Sequence, residues 1–166
     1  MAGNRLPPLP PDLMPLPKLR IYNRQKTHAI PLPWLRRIGK AALPGCLAAA
    51  KSPDAPLASL EEIEITIVDD ADIARVHGDF LDDPTPTDVI TFHHGEILIS
   101  ADTALRQGGE HGQSLDHEVA LYLVHGLMHL GGWDDHEEAE AREMAQRQET
   151  VLQGALAAME PKKPQK

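Results

Sequence analysis

A single cysteine, Cys46, stands in the 166 residues, so the chain can form neither an internal disulfide framework nor a cysteine-based metal cluster. Aromatic residues are also scarce, at 4%, so stacking platforms for bases or sugars are not advertised. No apolar run approaches the roughly 18 residues that a membrane span requires. Prolines interrupt Leu6 to Leu16 before the hydrophobic region of a secretory signal can form. These absences lead us to expect a cytoplasmic protein with no membrane partner. Acid is missing from the first fifty residues except for Asp12. Against it stand Arg5, Lys18, Arg20, Arg24, Lys26, Arg36, Arg37 and Lys40, a balance of +7 that leaves −16 for the remainder of a chain whose net charge is −9. An acidic chain is poorly suited to indiscriminate nucleic-acid binding, because phosphate contacts need cations, and no DNA partner is expected. Residues 18–40 could still meet a polyanion, although a solvated helix face would carry the same charges.

What is present fits one domain. The length is sufficient to bury a core, and the hydrophobic share of 42% is that of an ordinary soluble fold. Residues 1–17, with six prolines, read as an extended, disordered arm. Residues 18–157 read as a single domain and 158–166 as a tail. Leu19 to Asn23 alternates as a strand, and a helix is expected from Pro33 until Pro44-Gly45 stops or kinks it. Residues 51–59 read as a loop. Ile63, Ile65 and Ile67 alternate with polar residues and mark a half-buried strand. Asp69 or Asp70 can cap a helix from about Ala71 to Phe80. Val89 to Phe92 and Ile97 to Ile99 form a hairpin around His93-His94-Gly95-Glu96. A short helix spans 101–109. Ser114 then caps a helix whose run Val119 to Val124 is apolar on every side and therefore buried. A final helix carries the stripe Ala141, Met144, Val151, Leu152, Ala155 and Met159. The expected fold class is α+β, a small mixed sheet packed with helices.

The chemistry concentrates in His125-Gly126-Leu127-Met128-His129-Leu130-Gly131-Gly132-Trp133-Asp134-Asp135-His136. Histidines four apart on a helix project from one face. A glycine pair ends the helix and a third histidine follows. Three desolvated imidazoles repel one another if charged and need several partners if neutral; one metal ion satisfies all three. Asp134 and Asp135 are natural acceptors for fixing a histidine tautomer, or simply turn residues. The plan is zincin-like, but Gly126 occupies the position where a zinc protease carries its glutamate base.

His125-Gly126-x-x-His129-Leu130-x-Gly132-Trp133-Asp134 resembles the HGxLHLxGYDH signature of the YbeY family of bacterial metal-dependent endoribonucleases. Thr87-Asp88-Val89-Ile90-Thr91-Phe92 is similar to that family's TDVLSF strand, and Gly95-Glu96-Ile97-Leu98-Ile99-Ser100 to its GDIxIS strand. The three agree in order and spacing over about residues 60–155. The resemblance implies an α+β domain with one zinc ion held by His125, His129 and His136. It further implies action on single-stranded RNA, in maturation of the 16S ribosomal RNA 3′ end and in ribosome quality control, with the small ribosomal subunit as partner. The expected reaction is metal-assisted phosphodiester hydrolysis.

Two positions depart from the family pattern. Asp135 intervenes between Asp134 and His136, leaving either His136 or Asp135 as third ligand, and imidazole is preferred. Leu81 stands where many members carry an arginine in an LNxxYR stretch, so Arg75 or Arg106 is the candidate replacement and the catalytic residues beyond the metal stay unassigned. Glu118 lies about 10 Å along the helix from His125 and suits a structural role. His93 and His94 either line the cleft or decorate the surface. The rival readings are a metal-dependent hydrolase of another substrate, disfavoured by Gly126, and a non-catalytic ribosome-associated factor, suggested by Leu81 and the acidic surface.

Overall fold

Isoleucine alternation builds the sheet. Ile21, Ile65 and Ile97 occupy one level of three neighbouring strands and turn toward the same face, where each is at most 2% exposed. The computed structural model describes residues 15–160. Most of the expected N-terminal arm, residues 1–14, and residues 161–166 of the expected tail lie outside the described residues. In chain order come β1 (Lys18–Asn23), α1 (Leu32–Ala48), β2 (Glu62–Val68), α2 (Asp70–Leu81), β3 (Val89–Phe92), β4 (Glu96–Ser100), α3 (Ala101–Glu110), α4 (Leu115–Leu130) and α5 (Glu138–Met159). The strand order is β1-β2-β4-β3. β1, β2 and β4 run parallel, whereas β3 pairs with β4 as the expected antiparallel hairpin. The fold is therefore α+β with a mixed four-stranded sheet.

The two sheet faces are covered unequally. On one, α1 and α4 pack against the strands, with α5 laid across both helices. Leu35, Ile38, Leu123, Leu127 and Leu152 complete this main core and have no exposed surface. Fully burying an aliphatic side chain of this size stabilises the fold by roughly 1.5–3 kcal/mol. On the other face α2 contributes Ile73 to a smaller cluster with Val68, Ile90 and Leu98. Asp69 caps α2 by accepting from Asp72 N at 2.8 Å.

Of the two outcomes expected at Pro44-Gly45, a stop or a kink, the stop does not occur. Pro44 neither stops α1 nor marks its end; the helix runs from Leu32 to Ala48. Proline removes one backbone hydrogen bond, but Leu43 and Cys46 on either side of it are buried in the main core, and that packing outweighs the loss. The expected loop at 51–59 includes a short 3-10 turn, Pro56–Ala58.

α4 lies unusually close to the sheet at Gly126. A Cβ at that position would stand 2.8 Å from Ile97 Cδ1 and 2.9 Å from its Cγ2. Position 126 thus faces the sheet, and a glutamate there would be driven into the core. Gly126→Leu is expected to destabilise the protein by about 1–3 kcal/mol through overpacking. Urea unfolding reads this as a lowered midpoint; an unchanged midpoint would mean that α4 does not seat on Ile97.

Candidate metal centre

α4 begins where Ser114 Oγ accepts from His117 N at 3.1 Å, with Asp116 and Glu118 in the first turn opposing the positive helix end. Its middle, Val119 to Val124, is buried apart from Leu121. Glu118 is also buried and packs against Gly108 of α3, so its role is structural. Burying these sides leaves His125 and His129, one turn apart, on the partly exposed side of α4. The rings meet edge to face with centroids 4.5 Å apart, and the two Nε2 atoms are 3.0 Å from each other.

The Trp133 carbonyl can only accept, which puts the His129 proton on Nδ1, and the Gln148 side-chain oxygen beside His125 Nδ1 favours the same tautomer there. His125 Nδ1 donates to Gln148 Oε1 of α5 at 2.8 Å, and His129 Nδ1 donates to the Trp133 carbonyl at 2.9 Å. Each neutral ring therefore presents an Nε2 lone pair, and the two lone pairs face one another. Asp135 Oδ2 lies 3.6 Å from the first and 3.9 Å from the second. Three electron-rich atoms converge, and a cation between them would satisfy all three. A proton is a poor choice. Burial, then the neighbouring charge of His125, holds the His129 pKa below its usual value against the opposing pull of Trp133, Asp135 and Asp134. The donor set fits a divalent metal ion.

A long-range scaffold places Asp135. After α4, Gly132 takes φ +97°, a conformation that favours glycine, and Trp133 N donates back to Met128 O at 3.2 Å. The indole of Trp133 donates to Ala49 O at the end of α1 (2.8 Å), while Lys51 and Arg147 lie over its ring at 5.5 and 5.1 Å. Lys51 is ion-paired with Glu140, whose other oxygen accepts from Asp134 N at 2.7 Å. This turn directs Asp135 back toward the histidine pair.

His136 does not join His125 and His129 in the structure, contrary to the expected three-histidine set. Its backbone N–H donates to Asp134 Oδ1, which turns the chain outward, and its side chain is 87% exposed with Nε2 3.4 Å from the same carboxylate. Asp135 takes the place facing the pair. The proposed stand-ins for the missing arginine are likewise engaged elsewhere. Arg75 pairs with Asp72, and Arg106 is held 2.7 Å from Asp70 Oδ2. Asp70 also accepts hydrogen bonds from the Ser100 and Thr103 hydroxyls; burial resists its ionisation, but these bonds and Arg106 together hold its pKa below the ordinary value. Leu81 is exposed at the end of α2. His93 and His94 are exposed in the β3–β4 turn, His94 stacked on Phe92 and bonded to Glu96.

The sequence reading missed Gln148, Lys51 and Arg147. Gln148 had a signal: it is a polar residue four positions after Met144 and four before Leu152, inside the apolar stripe of α5. Lys51 and Arg147 had none, because their approach to Trp133 depends on how α1 and α5 meet.

Residues 20–155 match the family model described as Endoribonuclease YbeY. Curated relatives carry the same name. One from Synechococcus sp. (strain RCC307) is 37% identical over 123 residues, 65% of this chain and 77% of the relative. Another, from Geobacter metallireducens, is 34% identical over 151 residues, 81% of this chain and 93% of the relative. Among solved structures, the solution structure of a Thermotoga maritima protein superposes with a TM-score of 0.58 at 21% identity, covering 84% of this chain and 90% of that one, a likeness of fold.

Gln148 orients His125 without facing the cation position itself. Gln148→Ala is expected to weaken metal affinity by roughly 10–100-fold, measured by competition with a chelator of known affinity. Undiminished affinity would show that the His125 tautomer does not depend on this bond.

Proposed function

The chain belongs to the Endoribonuclease YbeY family, and from that premise we propose that it is a zinc-dependent endoribonuclease cutting single-stranded RNA. The proposal extends to its setting: maturation of the 16S ribosomal RNA 3′ end and ribosome quality control, in the cytoplasm, by one metallo-endoribonuclease domain over residues 18–157. The opposed Nε2 lone pairs of His125 and His129, with the Asp135 carboxylate beside them, carry the metal part of this reading. No helix among the described residues is long and apolar enough to cross a membrane.

The proposed ligands are His125, His129 and Asp135, two imidazoles and one carboxylate. Zinc accepts both donor types, and a three-ligand set leaves a position for water or substrate. When bound, the ion supplies Lewis acidity to a water molecule and to a phosphoryl oxygen. The protein's own residues preorganise that chemistry. Gln148 and the Trp133 carbonyl hold both imidazoles in the tautomer that exposes Nε2. The local plan is zincin-like, two histidines on successive helix turns and a third donor past a glycine turn, but it lacks the glutamate base because position 126 faces Ile97. Lys51 and Arg147, seated on Trp133 and ion-paired with Glu140 and Glu143, are the cations attached to the site's own scaffold.

Two measurements test the reading. Loss of several kcal/mol of Lewis-acid stabilisation corresponds to a rate decrease of roughly 100-fold or more. Wild type should therefore cleave a labelled single-stranded RNA at least that much faster than His129→Ala or chelator-treated protein; equal rates would sink the nuclease reading. Elemental analysis should find the ion retained in His136→Ala and lost in Asp135→Ala. The reverse pattern would transfer the third ligand to His136.

A further inference from the structure

Between Lys18 and Ala50 the chain has seven cations and no acid, and the fold gathers most of them along one edge of the sheet. β1 is the terminal strand on the side opposite β3. Its residues Lys18, Arg20 and Tyr22, and Arg24 just past its end, alternate outward from the core and are exposed. α1 brings Arg36 and Lys40, one turn apart, against the same edge. Two concavities of about 490 and 540 Å³ lie between strand and helix and share Arg36. Lys18, Arg20 and Lys40 line the first; Tyr22, Arg24 and Glu64 line the second. Together they form a groove along β1.

The groove keeps its charge. Arginine and lysine ion pairs among the described residues involve Arg20, Lys51, Arg75, Arg106, Arg142 and Arg147, which leaves Lys18, Arg24, Arg36 and Lys40 without a carboxylate partner. The metal centre is electrostatically the reverse: Asp134, Asp135, Glu137, Glu138 and Glu140 cluster in and after its turn. An RNA strand gains little attraction there from the protein's own side chains, so its affinity needs a cationic surface elsewhere.

We propose that the β1–α1 groove is an anchoring site for single-stranded RNA remote from the scissile bond, with phosphates against Lys18, Arg24, Arg36 and Lys40 and a base on the Tyr22 ring. This rests on the nuclease reading above. An exposed aromatic among unpaired cations is the arrangement that holds single strands with little sequence preference. An added peptide strand is the poorer occupant, because Arg36 Nη2 already donates to the Ile21 carbonyl at 3.4 Å on the open edge of β1. β1 stands three strand spacings, roughly 14 Å, from β3, and α4 with its histidines packs over β3 and β4. The anchored nucleotides therefore lie outside the segment being cut.

Fluorescence anisotropy of the full chain tests this, with chelator present to prevent cutting and a labelled RNA longer than the roughly 4–16 nucleotides one groove tracks. Arg36→Glu/Lys40→Glu should weaken binding at least ~10-fold and reduce the slope of log affinity against log salt by about 1.4, at roughly 0.7 per lost phosphate contact. Arg24→Glu, a separate variant on the strand, should reduce the slope by about half as much. Arg142→Glu, on exposed α5, changes net charge without touching the groove and should leave the slope unaltered; thermal melts confirm that each variant is folded. Unchanged affinity and slope in the groove variants, or an equal loss in Arg142→Glu, overturns the proposal. Polyglutamate displacing the RNA as well as unlabelled RNA does would reassign the groove to an acidic protein partner and overturn it too. Groove-dependent binding by a wild type that cuts nothing would defeat the nuclease reading alone. Cutting that coexists with groove-independent binding would defeat the anchor alone.

Discussion

The seating of α4 against β4, glycine against isoleucine, is the constraint on which the site depends. Gly126 lets the helix backbone approach Ile97, and that approach buries the apolar run before it. A helix so committed has little rotational freedom: moving it to release the histidines would expose Leu123, Leu127 or Leu130, each costing roughly 1.5–3 kcal/mol. His125 and His129 are consequently presented as a rigid pair. The same contact accounts for the missing protease glutamate, since the position that would bear it is pressed into the sheet.

Rigidity matters because the pair is electrostatically incomplete. Each imidazole spends its N–H on an oxygen, so the remaining nitrogens oppose each other at 3.0 Å with a carboxylate nearby. Burial disfavours solving the conflict with a proton on His129. Trp133 couples this centre to the rest of the fold: its carbonyl orients His129, its indole is tied to α1, and Lys51 after α1 and Arg147 of α5 rest over its ring. Cations without a carboxylate partner among the described ion pairs, Lys18, Arg24, Arg36 and Lys40, lie instead along the β1 edge. The acids of the turn and the cations of the β1 edge thus occupy different parts of the surface.

Local pattern made much of the fold legible. The isoleucines of β2, the hairpin around Gly95 and the Ser114 cap all follow from period, turn chemistry and capping within a few residues. The proline in α1 shows where such rules lose: a penalty at Pro44 is smaller than the packing of Leu43 and Cys46 into the core. At the site, spacing on one helix sufficed to bring His125 and His129 together. It did not suffice beyond the glycines, where His136 was expected and Asp135 stands, because the turn's course is set by hydrogen bonds to Met128 and Ala49.

By itself the sequence determined the secondary elements, the α+β class, the histidine pair, the family and the charge asymmetry of the first fifty residues, because these are properties of neighbours along the chain. The tertiary structure alone decided that Asp135 faces the histidine pair, that Gln148 and the Trp133 carbonyl lie against the two rings, and that Arg36 and Lys40 come to the same sheet edge as Arg24. Those depend on contacts between residues far apart in the chain, such as His125 with Gln148 and Trp133 with Ala49. No periodicity encodes which side chains meet once helices pack; the close approach at Gly126 and the turn at Gly132 do.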